Sequence, residues 1–207
     1  MRGEVGAVRI GFSGVAVLDG VLTRDLHSFH RSHPEVELTL LELPPAAQVQ
    51  QVREGAIDVG YSPDLGLVGT DGLVLAPRSR TPLSIAMRHD HELAGAASVS
   101  EADLADRDLV VFAADENDGT ILSELLTDRS AHRARIHLVS STLGVLALAA
   151  AGVGVAVVPT ATQRIALPEI VHRPLHGPDS GPRVVTISRS DELSGPVRAF
   201  LGRLAPA

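Results

Sequence analysis

The sequence predicts an α/β protein wound around mostly parallel sheets, and three observations carry that prediction. Residues 8–61 alternate β-rich and helical segments as β-α-β-α-β, a pattern that right-handed crossovers wind into a parallel sheet. Residues 136–159 repeat the theme as buried strand, hydroxyl-rich corner, apolar helix, glycine stop and second buried strand. Aromatic residues make up only 2% of a chain that is 44% apolar, so its cores must be filled by Val, Leu, Ala and Ile.

Taken in order, Val8–Phe12 (VRIGF) is a β-rich run ending at Ser13-Gly14. The helix that follows, Asp19–Ser32, stops before His33-Pro34, because proline disfavours helical geometry in the residue ahead of it. Val36–Leu43 is a strand with partial alternation. Pro44-Pro45 opens the helix Ala46–Glu54, since a first turn tolerates proline, and Gly55 ends it. Ile57–Tyr61 returns as a strand, and 62–70 is a loop rich in Gly, Pro and Asp. Leu73–Ala76 and Leu83–Met87 are strands separated by a polar link, Pro77–Pro82. Arg88–Ala97 is a turn, Val99–Leu104 a short helix opened by Ser98 or Ser100, and Leu109–Ala113 a buried strand. Asp115–Gly119 makes a polar corner before a short helix, Thr120–Thr127.

Ile136–Val139 leads into the helix Thr142–Ala151, apolar on nearly every face and therefore expected to be sandwiched. Ser140 or Ser141 can cap its start, and Gly152 falls where a left-handed residue is wanted after its end. A buried strand then runs to Pro159. Ala161–Ile165 is a brief helix, Ile170–Pro174 a strand, His176–Pro182 a loop, Val184–Ser188 a strand and Gly195–Leu204 a closing helix led by Pro196.

At 207 residues the chain holds one large domain or two modest lobes. Its formal net charge is −7, all 18 basic residues are Arg, and no basic run exists, which argues against a nucleic-acid surface. The absence of cysteine excludes thiol catalysis, disulfides and thiolate metal sites. Met1–Ala7 lacks the apolar stretch of a secretory signal and no window approaches a membrane span, so a soluble, cytoplasmic protein is expected.

Three motifs come close to a chemistry and miss it. Gly11-Phe12-Ser13-Gly14-Val15 resembles a nucleophile elbow, but Val15 stands where the pattern requires glycine. His27, His30 and His33 recur every third residue, a step that drifts around a helix, and no carboxylate is fixed beside them; a solvated or dimer-facing helix is the expectation. Asp115–Gly119 hints at a calcium loop, yet Leu126 occupies the twelfth position, leaving Asp118 as a helix cap. No metal, cofactor or enzymatic activity is expected.

Seven pieces then fall into one register: VRIGF (8–12), FHRSHPEVEL (29–38), VREGAIDVG (52–60), PLSIAMRHDHELA (82–94), SEADLADRDLVVF (100–112), LVSSTLGVLALAAAGVGVAVVPTATQ (138–163) and SGPVRAFLGRL (194–204). Together they resemble the effector-binding, or substrate-binding, domain of LysR-type transcriptional regulators, without the N-terminal winged helix-turn-helix of that family. The resemblance implies a type-2 periplasmic-binding-protein-like fold of two α/β lobes joined by a double hinge crossover. Lobe I would comprise 5–82 plus 183–207 and lobe II 83–182, with a small-molecule effector bound between them and shifting their angle.

Position by position, the resemblance implies effector contacts at Ser13, Gly14, Val15 and Ser62 in lobe I. In lobe II it implies Asn117, Asp118, Gly119 and Thr120, and then Ser140, Ser141 and Thr142. Backbone N–H groups and hydroxyls at such strand ends can hold a carboxylated metabolite without a buried countercharge. Two departures bear on effector chemistry: Pro45 stands where members often carry a small hydroxyl residue, and Thr81-Pro82 where many carry Glu. The implied assembly is a homodimer or tetramer, formed through Asp19–Ser32 and Val36–Leu43 of each partner. DNA would be reached only through a helix-turn-helix absent from this chain. The alternative is a stand-alone solute-binding protein of the same fold.

Overall fold

The computed structural model describes residues 6–64, 67–113, 134–176, 181–192 and 194–204. The expected contacts Asn117, Asp118, Gly119 and Thr120, and the helix expected over 120–127, lie outside them. The chain divides into two compact units, Met1–Arg80 with Arg183–Ala207, and Thr81–Pro182. The first opens with β1 (Ala7–Phe12), α1 (Gly14–Leu18), α2 (Val21–Ser32), β2 (Glu37–Glu42), α3 (Pro45–Glu54), β3 (Val59–Pro63) and β4 (Leu73–Arg80). The second holds β5 (Leu83–Arg88), β6 (Val99–Ser100), α4 (Glu101–Leu104), β7 (Leu109–Phe112), β8 (Ile136–Val139), α5 (Thr142–Ala150), β9 (Val155–Pro159) and β10 (Ile170–His176). The chain returns to the first unit with β11 (Arg183–Arg189) and α6 (Gly195–Gly202).

The first unit is a five-stranded sheet in the order β2-β1-β3-β11-β4. β1 runs parallel to β2 and β3, as the β-α-β-α-β pattern requires, while β11 is antiparallel to both β3 and β4. The expected mostly parallel sheet is therefore mixed here, because β11 re-enters from the other unit rather than through a local crossover. Strand alternation splits the core in two. Val8, Ile10, Val59 and Tyr61 pack under α1, α2 and α6, with Phe29 and Phe200 the largest buried rings. Ile57, Val185 and Ile187 pack under Val49 and Val52 of α3.

Two local readings of this unit are corrected. The helix expected over Asp19–Ser32 is α2, which starts two residues later, at Val21, and ends at Ser32 as read. What the sequence did not show is the separate short helix α1 ahead of it, divided from α2 by Gly20, whose φ of 86° is left-handed. His33 is the residue after α2, off the helical path and stacked on Phe29 at 4.6 Å, so it does not continue a face with His27 and His30. The polar link expected at Pro77–Pro82 is strand as far as Arg80. Proline is tolerated there because β4 is an edge strand, and the register slips between Val184 and Val185, leaving Arg78 as a bulge. The bulge turns the guanidinium inward, where Arg78 Nη2 donates to both oxygens of Asp25 at 2.7 and 2.8 Å. Tyr61 donates its hydroxyl to the same carboxylate at 2.9 Å. All three side chains are buried.

The second unit is a six-stranded sheet in the order β6-β10-β5-β9-β7-β8. β7 is parallel to β8 and β9, and β5 is antiparallel to β9 and β10. One face packs Leu83, Ile85 and Met87 with Leu104 and Leu109; the other packs Ala86, Val110 and Val158 with Val145, Leu146 and Ala149 of α5. The stretch expected as a helix over Val99–Leu104 begins as the short strand β6. Ser100 then opens α4 with a capping box, its Oγ accepting from Asp103 N while Asp103 accepts from Ser100 N.

The expectation that the 142–151 helix is sandwiched is also corrected. α5 covers the sheet with one side only, and Leu143 on its other side is 64% exposed. A run of Ala and Leu carries no polar face, so the sequence alone could not orient it. Gly152 has a φ of 74° and closes the helix as read. Among the described residues no helix is long and apolar enough to cross a membrane.

Candidate functional site

Parallel strands that each lead into a helix leave backbone donors and hydroxyls at their carboxyl ends. Ser13 follows β1 and precedes the one-turn helix α1, and its N–H is bonded to Tyr61 O at 2.9 Å on the neighbouring strand. Its hydroxyl does not cap that helix. Instead Gln48, on α3, donates from Nε2 to Ser13 Oγ at 3.0 Å and to Leu43 O at 2.9 Å. Sequence reading missed Gln48. The only signal was a glutamine in the first turns of a helix facing a strand pair that carries glycine at matching positions.

Those glycines are Gly11 on β1 and Gly60 on β3, which are direct cross-strand partners. A Cβ on Gly60 would stand 3.0 Å from Gln48 Oε1, whereas one on Gly11 would stand 2.5 Å from Ile57 Cδ1 and 3.2 Å from Leu43 Cδ1 before reaching Gln48 Cγ at 3.4 Å. Gly60 thus leaves room for the fully buried glutamine, and Gly11 for Ile57 and Leu43 packed beside it.

The other residues expected in this unit are placed differently from Ser13. Gly14 follows it, beside Glu42 at the end of β2: a Cβ there would lie 3.3 Å from Glu42 Oε1. Val15 turns its side chain into the core. Ser62 is fully buried, with its hydroxyl donating to Pro63 O at 3.0 Å, one residue past the carbonyl that receives Ser13 N–H.

In the second unit Ser140, Ser141 and Thr142 occupy the corner from β8 into α5. Of the two candidate caps the structure selects Ser141, whose Oγ accepts from Gly144 N at a long 3.4 Å. The N–H groups of Thr142 and Leu143 have no partner within the helix. Ser140 and Ser141 are exposed and Thr142 is half-buried. The parallel neighbour β7 ends beside this corner, with Ala113 N–H donating to Val139 O at 3.0 Å. At the carboxyl end of β9 the hydroxyls of Thr160 and Ser84 meet at 2.5 Å, a pair the sequence did not single out. Among the described residues no group of three His, Cys, Asp or Glu side chains could hold a metal ion.

Comparison with known proteins gives these corners a context. The LysR substrate binding domain family matches residues 1–207, the whole chain. The HTH-type transcriptional regulator YnfL of Escherichia coli K12 is 30% identical over 186 residues, covering 86% of this chain and 60% of its own length. The HTH-type regulator BenM of Acinetobacter baylyi is 29% identical over 178 residues, covering 84% of this chain and 57% of BenM. The chain thus spans about three fifths of the length of these relatives. The effector binding domain of BenM with its effector benzoate superposes with a TM-score of 0.82 at 26% identity, covering 96% of this chain and 90% of that one. The architecture is the type-2 periplasmic-binding-protein-like one of such domains, and the chain belongs to the LysR substrate binding domain family.

Proposed function

We propose that this chain is the effector-sensing part of a LysR-type transcriptional regulator, not a stand-alone solute-binding protein. The observation that carries the reading is the likeness, over nearly its whole length, to an effector domain that binds benzoate. A small, carboxylated metabolite is the proposed effector. Ser13 in the first unit and Ser140, Ser141 and Thr142 in the second are its proposed contacts, since each offers a hydroxyl or amide donor at a strand's carboxyl end. The output is a shift in the domain's conformational equilibrium, by as much as the effector's affinity differs between the states. DNA is reached through a helix-turn-helix domain of the longer protein, in the cytoplasm.

Self-association is part of the same proposal. The edge strand β2 exposes Leu40 and Leu41, by 41% and 42%, next to unpaired backbone groups that a second copy would cover. Leu40→Glu with Leu41→Glu is then expected to convert dimers to monomers in sedimentation velocity.

A thermal-shift screen of small carboxylates tests the effector reading. A ligand at 100 times its Kd adds about 2.7 kcal/mol of stability. Ser13→Ala and Thr142→Ala are each expected to reduce that shift. A shift indifferent to both substitutions would move the site elsewhere.

A further inference from the structure

We propose that Gln48 is a positioning residue that occupies one lone pair of Ser13 Oγ and so turns its proton outward, and that the effector group meeting Ser13 is an acceptor, a carboxylate or carbonyl oxygen. The inference rests on the reading of Ser13 as an effector contact and adds the polarity of that contact and the residue that sets it.

The argument begins with the orientation of the amide. Leu43 O is a backbone carbonyl and can only accept, so the atom of Gln48 lying 2.9 Å from it must be the nitrogen. The same nitrogen lies 3.0 Å from Ser13 Oγ and donates to it through its second hydrogen. Exchanging the two amide atoms would set carbonyl against carbonyl. Ser13 Oγ is thereby an acceptor from within the protein, and its own proton is left to point outward. No acceptor for that proton is found among the described residues, and Ser13 is half-buried rather than sealed. The serine is held from both sides, its N–H on Tyr61 O and its Oγ on Gln48, so the free proton has a fixed origin.

The arrangement is costly, which marks it as more than packing. Gln48 is 0% exposed, and its Oε1 has no hydrogen-bond partner. An unsatisfied buried carbonyl destabilises a fold, and such groups in native proteins call for a reason. The central strand β3 also gives up a side chain at Gly60 beside it, where a Cβ would crowd Gln48 Oε1. Leu or Met at position 48 would fill the slot without the penalty, but would leave the Ser13 hydroxyl free to rotate and to serve as donor or acceptor alike. Glu42, beside Gly14, adds a negative charge near this corner. A neutral carbonyl acceptor therefore meets less repulsion there than a carboxylate, and the two belong in one test.

The experiment has a ligand-free arm and a ligand arm. In urea unfolding of the free chain, the midpoint shifts of Gln48→Met and Ser13→Ala are expected to be non-additive in the double variant; strict additivity overturns the pairing. Gln48→Glu is expected to lower the midpoint at pH 7 and to regain part of it near pH 5, where a protonated carboxyl can donate again. A pH-independent loss also overturns it. In the ligand arm, the parent and both Gln48 variants are titrated by ligand-observed NMR with monocarboxylates from acetate to benzoate, their primary amides, and amines of the same skeletons. The parent is expected to bind carboxylates or amides in preference to amines, and Gln48→Met to weaken that binding roughly tenfold, the worth of one hydrogen bond. Ser13-dependent preference for the amines overturns the polarity. Failure of every series to bind the parent overturns the effector reading of this corner, while the unfolding arm still decides whether Gln48 holds Ser13.

Discussion

Two strand-to-helix corners in this chain look alike as sequence and are built differently. At the end of β8 a serine caps a nine-residue helix, its oxygen turned back to Gly144 N–H. At the end of β1 a serine precedes a five-residue helix and leaves it uncapped, because its oxygen is held by a glutamine from another helix. The contrast extends to the units around them. The first unit buries polar machinery: Gln48, the Asp25–Arg78–Tyr61 cluster, and Asp58, which accepts from Arg9 Nη2 at 2.7 Å and from Arg9 N–H at 2.8 Å. In the second unit, the ion pairs Arg88–Asp90, Arg107–Glu92 and Arg135–Asp108 each keep at least one member well exposed. Both units have apolar cores, whose packing is non-directional, but the first adds buried charged contacts that tolerate little rearrangement.

Substitutions can break that contrast. The largest effect is expected from Asp25→Ala, which removes the buried carboxylate that both Arg78 and Tyr61 donate to and should cost roughly 3–5 kcal/mol in urea unfolding. Asp108→Ala, which removes the exposed pair with Arg135, should leave the midpoint close to the parent's. Equal losses at the two positions would erase the distinction between the units.

A smaller effect separates the two serines. Ser13→Ala deprives Gln48 of one acceptor and should cost about 1 kcal/mol. Ser141→Ala removes a long cap and should cost about 0.5 kcal/mol, the low end for such sites.

The smallest effect is on the acid limb. Burial alone would raise the Asp58 carboxyl, but the hydrogen bonds and charge of Arg9 and a hydrogen bond from Arg189 outweigh it and hold the group below the usual carboxylate range. Its stabilising contribution is thus complete above the unfolded value of about 4 and is lost as pH falls through the lower folded value. Asp58→Asn should flatten the decline of stability below pH 4 in a pH series of unfolding midpoints.

Much of this architecture could be read from the sequence. Ile136–Val139 and the start of α5 at Thr142 coincide with the structure, and so does the left-handed stop at Gly152, because local chemistry dictates each of them. Pattern failed where distant contacts decide. The strand character of 77–80 depends on pairing with β11, more than a hundred residues away in sequence, and on an edge position that forgives Pro77. The exposed side of α5 could not be told from the buried one in a run of Ala and Leu. Ser13 is legible as a strand-end serine, whereas Gln48 is not, because its contacts exist only once α3 is laid across the end of β1 and over Gly60.

The position of β11 has a consequence for how the molecule is made. It lies between β3 and β4, yet it is encoded after the whole of the second unit. As the chain leaves the ribosome, Thr81–Pro182 has every strand of its sheet, while the amino-terminal unit still lacks an interior one and exposes two open edges. The order in which the two units are begun and completed is therefore reversed: the one begun earlier must wait for β11, made after the other. A nascent chain arrested before Arg183 should be sticky in the manner of any unpaired edge, and susceptible to holdase chaperones, in its amino-terminal half alone.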